Sequence, residues 1–166
     1  MVSDRIHAPD DSPGQRFELP DEAATRALGA RLTCALEAGL TIYLIGDLGA
    51  GKTTFVRGLL EALGHRGAVR SPTYTLIEPY TVSNLNLYHF DLYRFTDAEE
   101  FIEAGLEEYF SGDGVCLIEW PDKGSPFLPA ADIEVHLQEH GRGRTAQLLS
   151  TSPKGLECLK RIDSAA

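Results

Sequence analysis

Apolar residues recur along this chain with two periods, and the changes between them mark the elements. After Pro20, apolar positions Leu28, Leu32, Ala35 and Leu36 recur at helical spacing, which predicts a helix from Asp21 capped near Gly39. Thr41–Ile45 is a short β-rich run and reads as a buried strand. A glycine-rich segment follows. Next comes a second helical pattern, with Phe55, Val56, Leu59, Leu60 and Leu63 on one face and Gly64 as its stop. Residues 74–80 and 85–91 read as two strands joined by a turn at Ser83-Asn84. Thr96 and Glu99 form a capping box at the head of a third helix. Its inward face is expected to hold Ala98, Phe101, Ile102, Gly105, Leu106, Tyr109 and Phe110. A buried strand is expected over 115–119. Ile133, Val135 and Leu137 then alternate with polar residues as a half-buried strand, and 144–149 returns as its partner after a turn at Gly141 and Gly143. A short helix is expected from Ser152.

A strand–loop–helix unit followed by further strands predicts an α/β sheet covered by helices, and the hairpins make that sheet mixed. With the glycine-rich loop described below, the expected class is a P-loop NTPase-like three-layer fold. Its central sheet should be mixed and mostly parallel. Residues 1–15 read as a disordered tail, 16–150 as one ATPase-type domain, and 151–166 as a C-terminal tail holding the short helix.

The chain has 166 residues, a length suited to one domain and too short for a multidomain motor. Lys and Arg total 15 against 25 Asp and Glu, a net charge of −10 that argues against a broad basic face for nucleic acid. The imbalance is local. Residues 97–113 hold seven acids and no Lys or Arg, which leaves 15 basic and 18 acidic residues elsewhere. This acidic helix face reads as solvated or as a docking surface. No apolar run approaches the roughly 20 residues of a membrane span. The polar start has no signal-peptide core. Cys34, Cys116 and Cys158 are odd in number and far apart, which reads as reduced thiols in a cytoplasmic protein.

Gly46-Asp47-Leu48-Gly49-Ala50-Gly51-Lys52-Thr53 matches G-x-x-x-x-G-K-[ST] at every fixed position, between an expected strand and an expected helix. Glycines let the chain turn around a phosphate, and the loop N–H groups and helix N-terminus face the anion. Lys52 supplies charge to the β- and γ-phosphates, and the Thr53 hydroxyl can ligate Mg²⁺. The predicted ligands are therefore ATP and Mg²⁺. Such a loop needs a further acid near the metal, usually at a strand end. Asp91 and Glu119 both end expected strands. Glu119 can ligate Mg²⁺ directly, bind it through water, or orient the attacking water.

Four segments together, GDLGAGKTT (46–54), RSPTYTL (70–76), YHFDLYR (88–94) and LIEWPDKG (117–124), closely resemble the bacterial TsaE family, also called YjeE-like. The similarity runs in order from about residue 17 to 149. It implies a small P-loop ATPase of tRNA N6-threonylcarbamoyladenosine biosynthesis. That ATPase would work with the TsaD–TsaB pair, resetting this assembly between turnovers without transferring the threonylcarbamoyl group. It also implies roles for particular residues. Gly49, Ala50, Gly51, Lys52, Thr53 and Thr54 would cradle phosphate, and Thr53 would hold Mg²⁺. Asp91 would be the Walker-B-like acid, with Glu119 at the metal or the catalytic water. Ser71, Pro72 and Thr73 would form a switch-I-like segment, where the residues alone also read as a plain turn. Trp120 reads equally as a packing residue or as part of the site. Glu22 and Arg144 match weaker family positions near the nucleotide, and read equally as an exposed helix-start acid and an exposed strand arginine.

Two other functions share the motif. A P-loop small-molecule or nucleotide kinase usually carries an arginine-rich lid, but from Asp91 to Glu119 Arg94 is the one arginine. A binding module would hold ATP without turnover. His136-Leu137-Gln138-Glu139-His140 spells H-x-x-E-H, but that zinc motif needs a helix and these residues alternate at strand period.

Overall fold

The computed structural model describes residues 14–164. Residues 1–13 of the expected N-terminal tail lie outside the described residues. Gly14 and Gln15, also assigned to that tail, instead open strand β1, Gly14–Leu19. The remaining strands are β2 (Thr41–Ile45), β3 (Ile77–Val82), β4 (Leu85–Asp91), β5 (Val115–Glu119), β6 (Ile133–His140) and β7 (Gly143–Ser150). They form one seven-stranded sheet in the order β1-β7-β6-β2-β5-β4-β3. The central strands β6, β2, β5 and β4 are parallel, and the antiparallel pairs lie at the two edges. The sheet is mixed with a parallel core, as expected.

The parallel centre follows from composition. β5 reads VCLIE and is buried at every position, because a parallel strand is covered on both faces. The β3–β4 hairpin turns on Ser83 and Asn84, both with positive φ, the geometry of a two-residue hairpin loop. β3 starts at Ile77 rather than at residue 74. The chain before it is occupied by a turn in which the Leu76 N–H donates to the Pro72 carbonyl (2.8 Å).

Helices α1 (Glu22–Leu32) and α2 (Lys52–Ala62) cover one face of the sheet. Asp21 caps α1 by accepting from the Ala24 N–H. α1 ends at Leu32 and tightens into a 3₁₀ turn at Thr33–Ala35, so it stops well short of the expected cap at Gly39. The two helices cross closely. A Cβ on Gly29 would lie 2.1 Å from the Phe55 carbonyl oxygen, and one on Gly58 would lie 2.0 Å from that of Arg26. Leu28, Leu32, Phe55, Val56, Leu59 and Leu60 are buried against Ile42, Leu44, Leu87, Val115, Leu117 and Val135.

The third helix is shorter than its pattern predicts. α3 is a single turn, Glu100–Glu103. Gly105 adopts φ 70° and breaks the helix, and a 3₁₀ segment follows at Leu106–Phe110. The expected Thr96–Glu99 capping box is absent. The Glu100 carboxylate accepts instead from the Thr96 and Asp97 N–H groups, and Asp97 accepts from Glu99 N–H. Phe101 and Leu106 are buried as expected, but Ile102, beside Phe101 on the single turn of α3, is 45% exposed. This segment covers the opposite face of the sheet, against Phe90, Cys116 and Ile118. The layers are therefore helices, sheet, and short helical turns.

Helix α4, Pro153–Ser164, fills most of the segment expected as a C-terminal tail. Cys158, Leu159 and Ile162 are buried in the main core, so this helix is part of the domain. Among the described residues no disulfide forms, and Cys34 is exposed. No described helix is long and apolar enough to cross a membrane.

Candidate nucleotide site

β2 ends at Ile45, and the chain turns through residues 46–51 into α2. Gly49 and Gly51 have φ 80° and 101°, the left-handed region where a side chain is disfavoured. A Cβ on Gly46 would lie 2.5 Å from the Leu137 carbonyl oxygen, so that glycine is fixed by packing against β6. The loop delivers the N-terminus of α2 to a cleft of about 450 Å³, within the usual range of small-molecule sites.

The cleft is lined by Glu22, Gly49, Gly51, Lys52, Thr53, Thr54, Ser71, Thr73, Asp91, Glu119, Trp120 and Arg144. The structure thus gathers nearly every residue singled out in the sequence. Pro72 lies outside the cleft, and so does Ala50. Its side chain is buried and does not line the cleft, and its N–H donates to the Asp47 carbonyl (3.0 Å).

Strand alternation builds the cleft floor. On β4, Leu87, His89 and Asp91 share a face, as Val115, Leu117 and Glu119 do on β5. In register Asp91 pairs with Glu119, so both carboxylates emerge side by side at the C-terminal strand ends. Both are buried, and so is Lys52. The Lys52 ammonium donates to the Gly46 carbonyl (2.6 Å) and lies 3.9 Å from Glu119 Oε1. Burial pulls the Lys52 ammonium below its ordinary lysine range, and Glu119 and Asp91 partly offset this.

The segment before β3 points its hydroxyls into the same floor. Ser71 donates to Asp91 Oδ2 (2.5 Å), with Glu119 Oε2 at 3.3 Å. Thr73 lies 3.2 Å from Asp91 Oδ2, and the Tyr93 N–H donates to Oδ1 (2.9 Å). Ser71 is thus tied to both acids and Thr73 to Asp91. Trp120 has φ 56°, and its ring lies 4.1 Å from the Lys52 ammonium and 5.1 Å from the Tyr93 ring. It packs and lines the site at once.

The two weaker positions sit at the rim. Glu22 lies 3.8 Å from Arg57 on α2. Arg144 donates to the Gly49 carbonyl (3.0 Å) and so latches the β6–β7 hairpin to the phosphate loop. His89 was not singled out by sequence reading, although the alternation that places Asp91 places it too. It is fully buried and lies 2.7 Å from Glu119 Oε2.

The floor suits a small hard cation. Two buried carboxylates face one ammonium, which leaves negative charge out of water, and the Ser71 and Thr73 hydroxyls lie beside them. Asp91, Glu119 and Thr53 are the side chains able to hold Mg²⁺ there, with waters completing its shell. The H-x-x-E-H residues lie on strand β6, where His136 bonds Glu134 (2.8 Å), and no cluster of three metal-type side chains forms among the described residues.

The parallel core, the phosphate loop between β2 and α2, and the acids at adjacent strand ends define a P-loop NTPase-like α/β fold. The family model for threonylcarbamoyl adenosine biosynthesis protein TsaE matches residues 19–146. The chain belongs to the TsaE family. It is 44% identical over 142 residues to the tRNA threonylcarbamoyladenosine biosynthesis protein TsaE of Haemophilus influenzae, covering 82% of this chain and 90% of that protein. It is 45% identical over 123 residues to the Bacillus subtilis protein of the same name, covering 74% and 75% of the two chains. The crystal structure of Bacillus subtilis YdiB superposes with a TM-score of 0.79 at 31% identity, covering 94% of this chain and 98% of the other.

Proposed function

We propose that this protein binds Mg²⁺-ATP and hydrolyses it in support of tRNA N6-threonylcarbamoyladenosine formation. Hydrolysis would reset a TsaD–TsaB assembly between turnovers, in the cytoplasm, where tRNA is modified. One observation carries the chemistry. A complete phosphate loop opens onto two buried carboxylates held side by side, Asp91 and Glu119. The family membership and the names of the relatives support the tRNA pathway.

The α2 N-terminus and Lys52 bind and orient the phosphates. Bound phosphate would draw the Lys52 ammonium from the Gly46 carbonyl. Asp91 and the Thr53 hydroxyl would hold Mg²⁺, which would supply positive charge to the phosphates. Glu119 Oε1, on the Lys52 side, orients the attacking water. Ser71, tied to both acids, and Thr73, tied to Asp91, let segment 71–73 respond to whether the γ-phosphate is present.

The test is multiple-turnover tRNA threonylcarbamoylation reconstituted with TsaD and TsaB, following ADP and modified tRNA together. Omitting this protein should stop product after the first round. Glu119→Ala should do the same with ATP still bound. Sustained rounds without the protein would refute the assignment, and phosphorylation of a small molecule in place of water would favour the kinase.

A further inference from the structure

Among the described residues His89 is the one buried imidazole, and a core strand needs no such group there. In register it lies between Leu117 on β5 and the exposed Glu78 on β3, with Leu87 two residues before it on its own strand. A leucine would fill the place without a polar atom. Instead the ring is fully buried, with Nε2 2.7 Å from Glu119 Oε2 and no partner at Nδ1.

The geometry fixes the proton. An ionised carboxylate only accepts hydrogen bonds, so Nε2 must carry a proton to bind it. The opposite neutral tautomer would turn a lone pair on Glu119 and leave an N–H orphaned in the core, a doubly unfavourable arrangement. The ring therefore carries its proton on Nε2, and Nδ1 faces the core without a partner.

Glu119 Oε2 is thereby held from below by His89 and flanked by the Ser71 hydroxyl at 3.3 Å. Oε1 is left on the Lys52 side, 3.9 Å from its ammonium. A carboxylate with both oxygens unconstrained has a second rotamer available. With one oxygen anchored on a rigid central strand, the other has a fixed direction.

We propose that His89 is a positioning residue for Glu119. It donates from Nε2 to Oε2 and so aims Oε1 at the attacking water. This inference rests on the hydrolytic reading above and adds to it a residue that touches neither nucleotide nor metal.

The test uses the full chain with its partners, and two variants of opposite chemistry. His89→Phe fills the ring volume without a donor. His89→Gln places an amide N–H near the position of Nε2. ATP turnover should show kcat falling about 10- to 100-fold in His89→Phe with KM for ATP within about twofold, and recovering most of the loss in His89→Gln. A merely structural histidine would change the two variants alike, or would move KM and melting temperature rather than kcat. On wild-type protein, long-range ¹H–¹⁵N NMR of the imidazole should show the Nε2–H tautomer, with its proton shifted in Glu119→Gln. This reading stands even where His89→Phe fails to fold.

Failures are separable. Absence of ATP turnover by the wild type with partners present would overturn the hydrolytic reading, and the His89 role with it. Normal wild-type turnover with unchanged kcat in both variants, or an Nδ1–H tautomer, would overturn the His89 role alone.

Discussion

The two faces of the sheet bury different chemistry. Under α1, α2 and α4 the strands contribute Ile42, Leu44, Leu87, Leu117 and Val135, and at the strand ends that same face changes to His89, Asp91 and Glu119 beside Lys52. On the opposite face Phe90 stacks on Phe110 and meets Tyr109 edge-on, with Phe101 behind. Its cover is one helical turn and a 3₁₀ segment. Every buried Lys, His, Asp and Glu among the described residues lies on the first face. The difference is physical. A long helix brings a positive N-terminus with ordered N–H groups, and that terminus must sit at the strand ends to be of use. A face covered by short turns has no such terminus, and its aromatic rings fill space.

The largest expected effect separates stability from binding. Phe101→Ala removes a fully buried ring from the aromatic face and should cost about 3–5 kcal/mol. The folded fraction should bind ATP with unchanged affinity, measured by calorimetry alongside a urea melt. A weaker affinity in folded molecules would mean that the faces are coupled through the sheet.

Lys52→Ala is the converse. Charged hydrogen bonds to phosphate are worth about 1.5–3 kcal/mol, so ATP affinity should fall roughly ten- to a hundred-fold. Melting temperature should not rise, because the buried Asp91 and Glu119 carboxylates lose the cation that faces them. Undiminished nucleotide binding would contradict the phosphate-cradle reading.

The sequence made the first face more legible than the second. β2, β4 and β5 have the bounds their patterns predict, since each is a short apolar run closed by a turn or an acid. The phosphate loop was legible because few backbones satisfy its glycines. The second face misled. The i, i+3, i+4 spacing through residues 96–110 looks like one helix, but Gly105 in a left-handed conformation divides it, and Ile102 turns outward. β1 was missed because GQRFEL offers two apolar side chains on an edge strand. Period two would have revealed His89, but a histidine between leucine-like positions gives no sign of its partner. That partner comes from register with another strand.

Alkaline titration tests the aromatic face on its own. Burial pushes the Cys116 thiol up to about 12 from 9.0. Below pH 9 both folded and unfolded chains keep this proton, and the contribution is complete. Above pH 9 the unfolded thiol ionises first, so stability falls until the folded thiol titrates near 12. By pH 10 the loss should be about 1.4 kcal/mol. Lys52 acts in the opposite sense on the other face, since its ammonium is lowered and the penalty of holding it charged is relieved as pH rises. The measurement is therefore the difference between wild type and Cys116→Ala in urea melts from pH 8 to 10. A flat difference would show that water reaches Cys116.

The smallest effect concerns the acidic edge of the second face. Glu103, Glu107 and Glu108 are exposed on a segment with no Lys or Arg between residues 97 and 113. Like charges this close repel, weakly in water and less in salt. Replacing the three by Gln should shift stability by no more than about 0.5 kcal/mol, upward, with the gain fading at high ionic strength. ATP affinity should not change, because the sheet separates these charges from the phosphate loop. A loss of coupled tRNA modification with ATP binding intact would assign the edge to partner docking. A loss of ATP affinity would break the division between the faces, for then charge on the aromatic side would reach the site through the strands themselves.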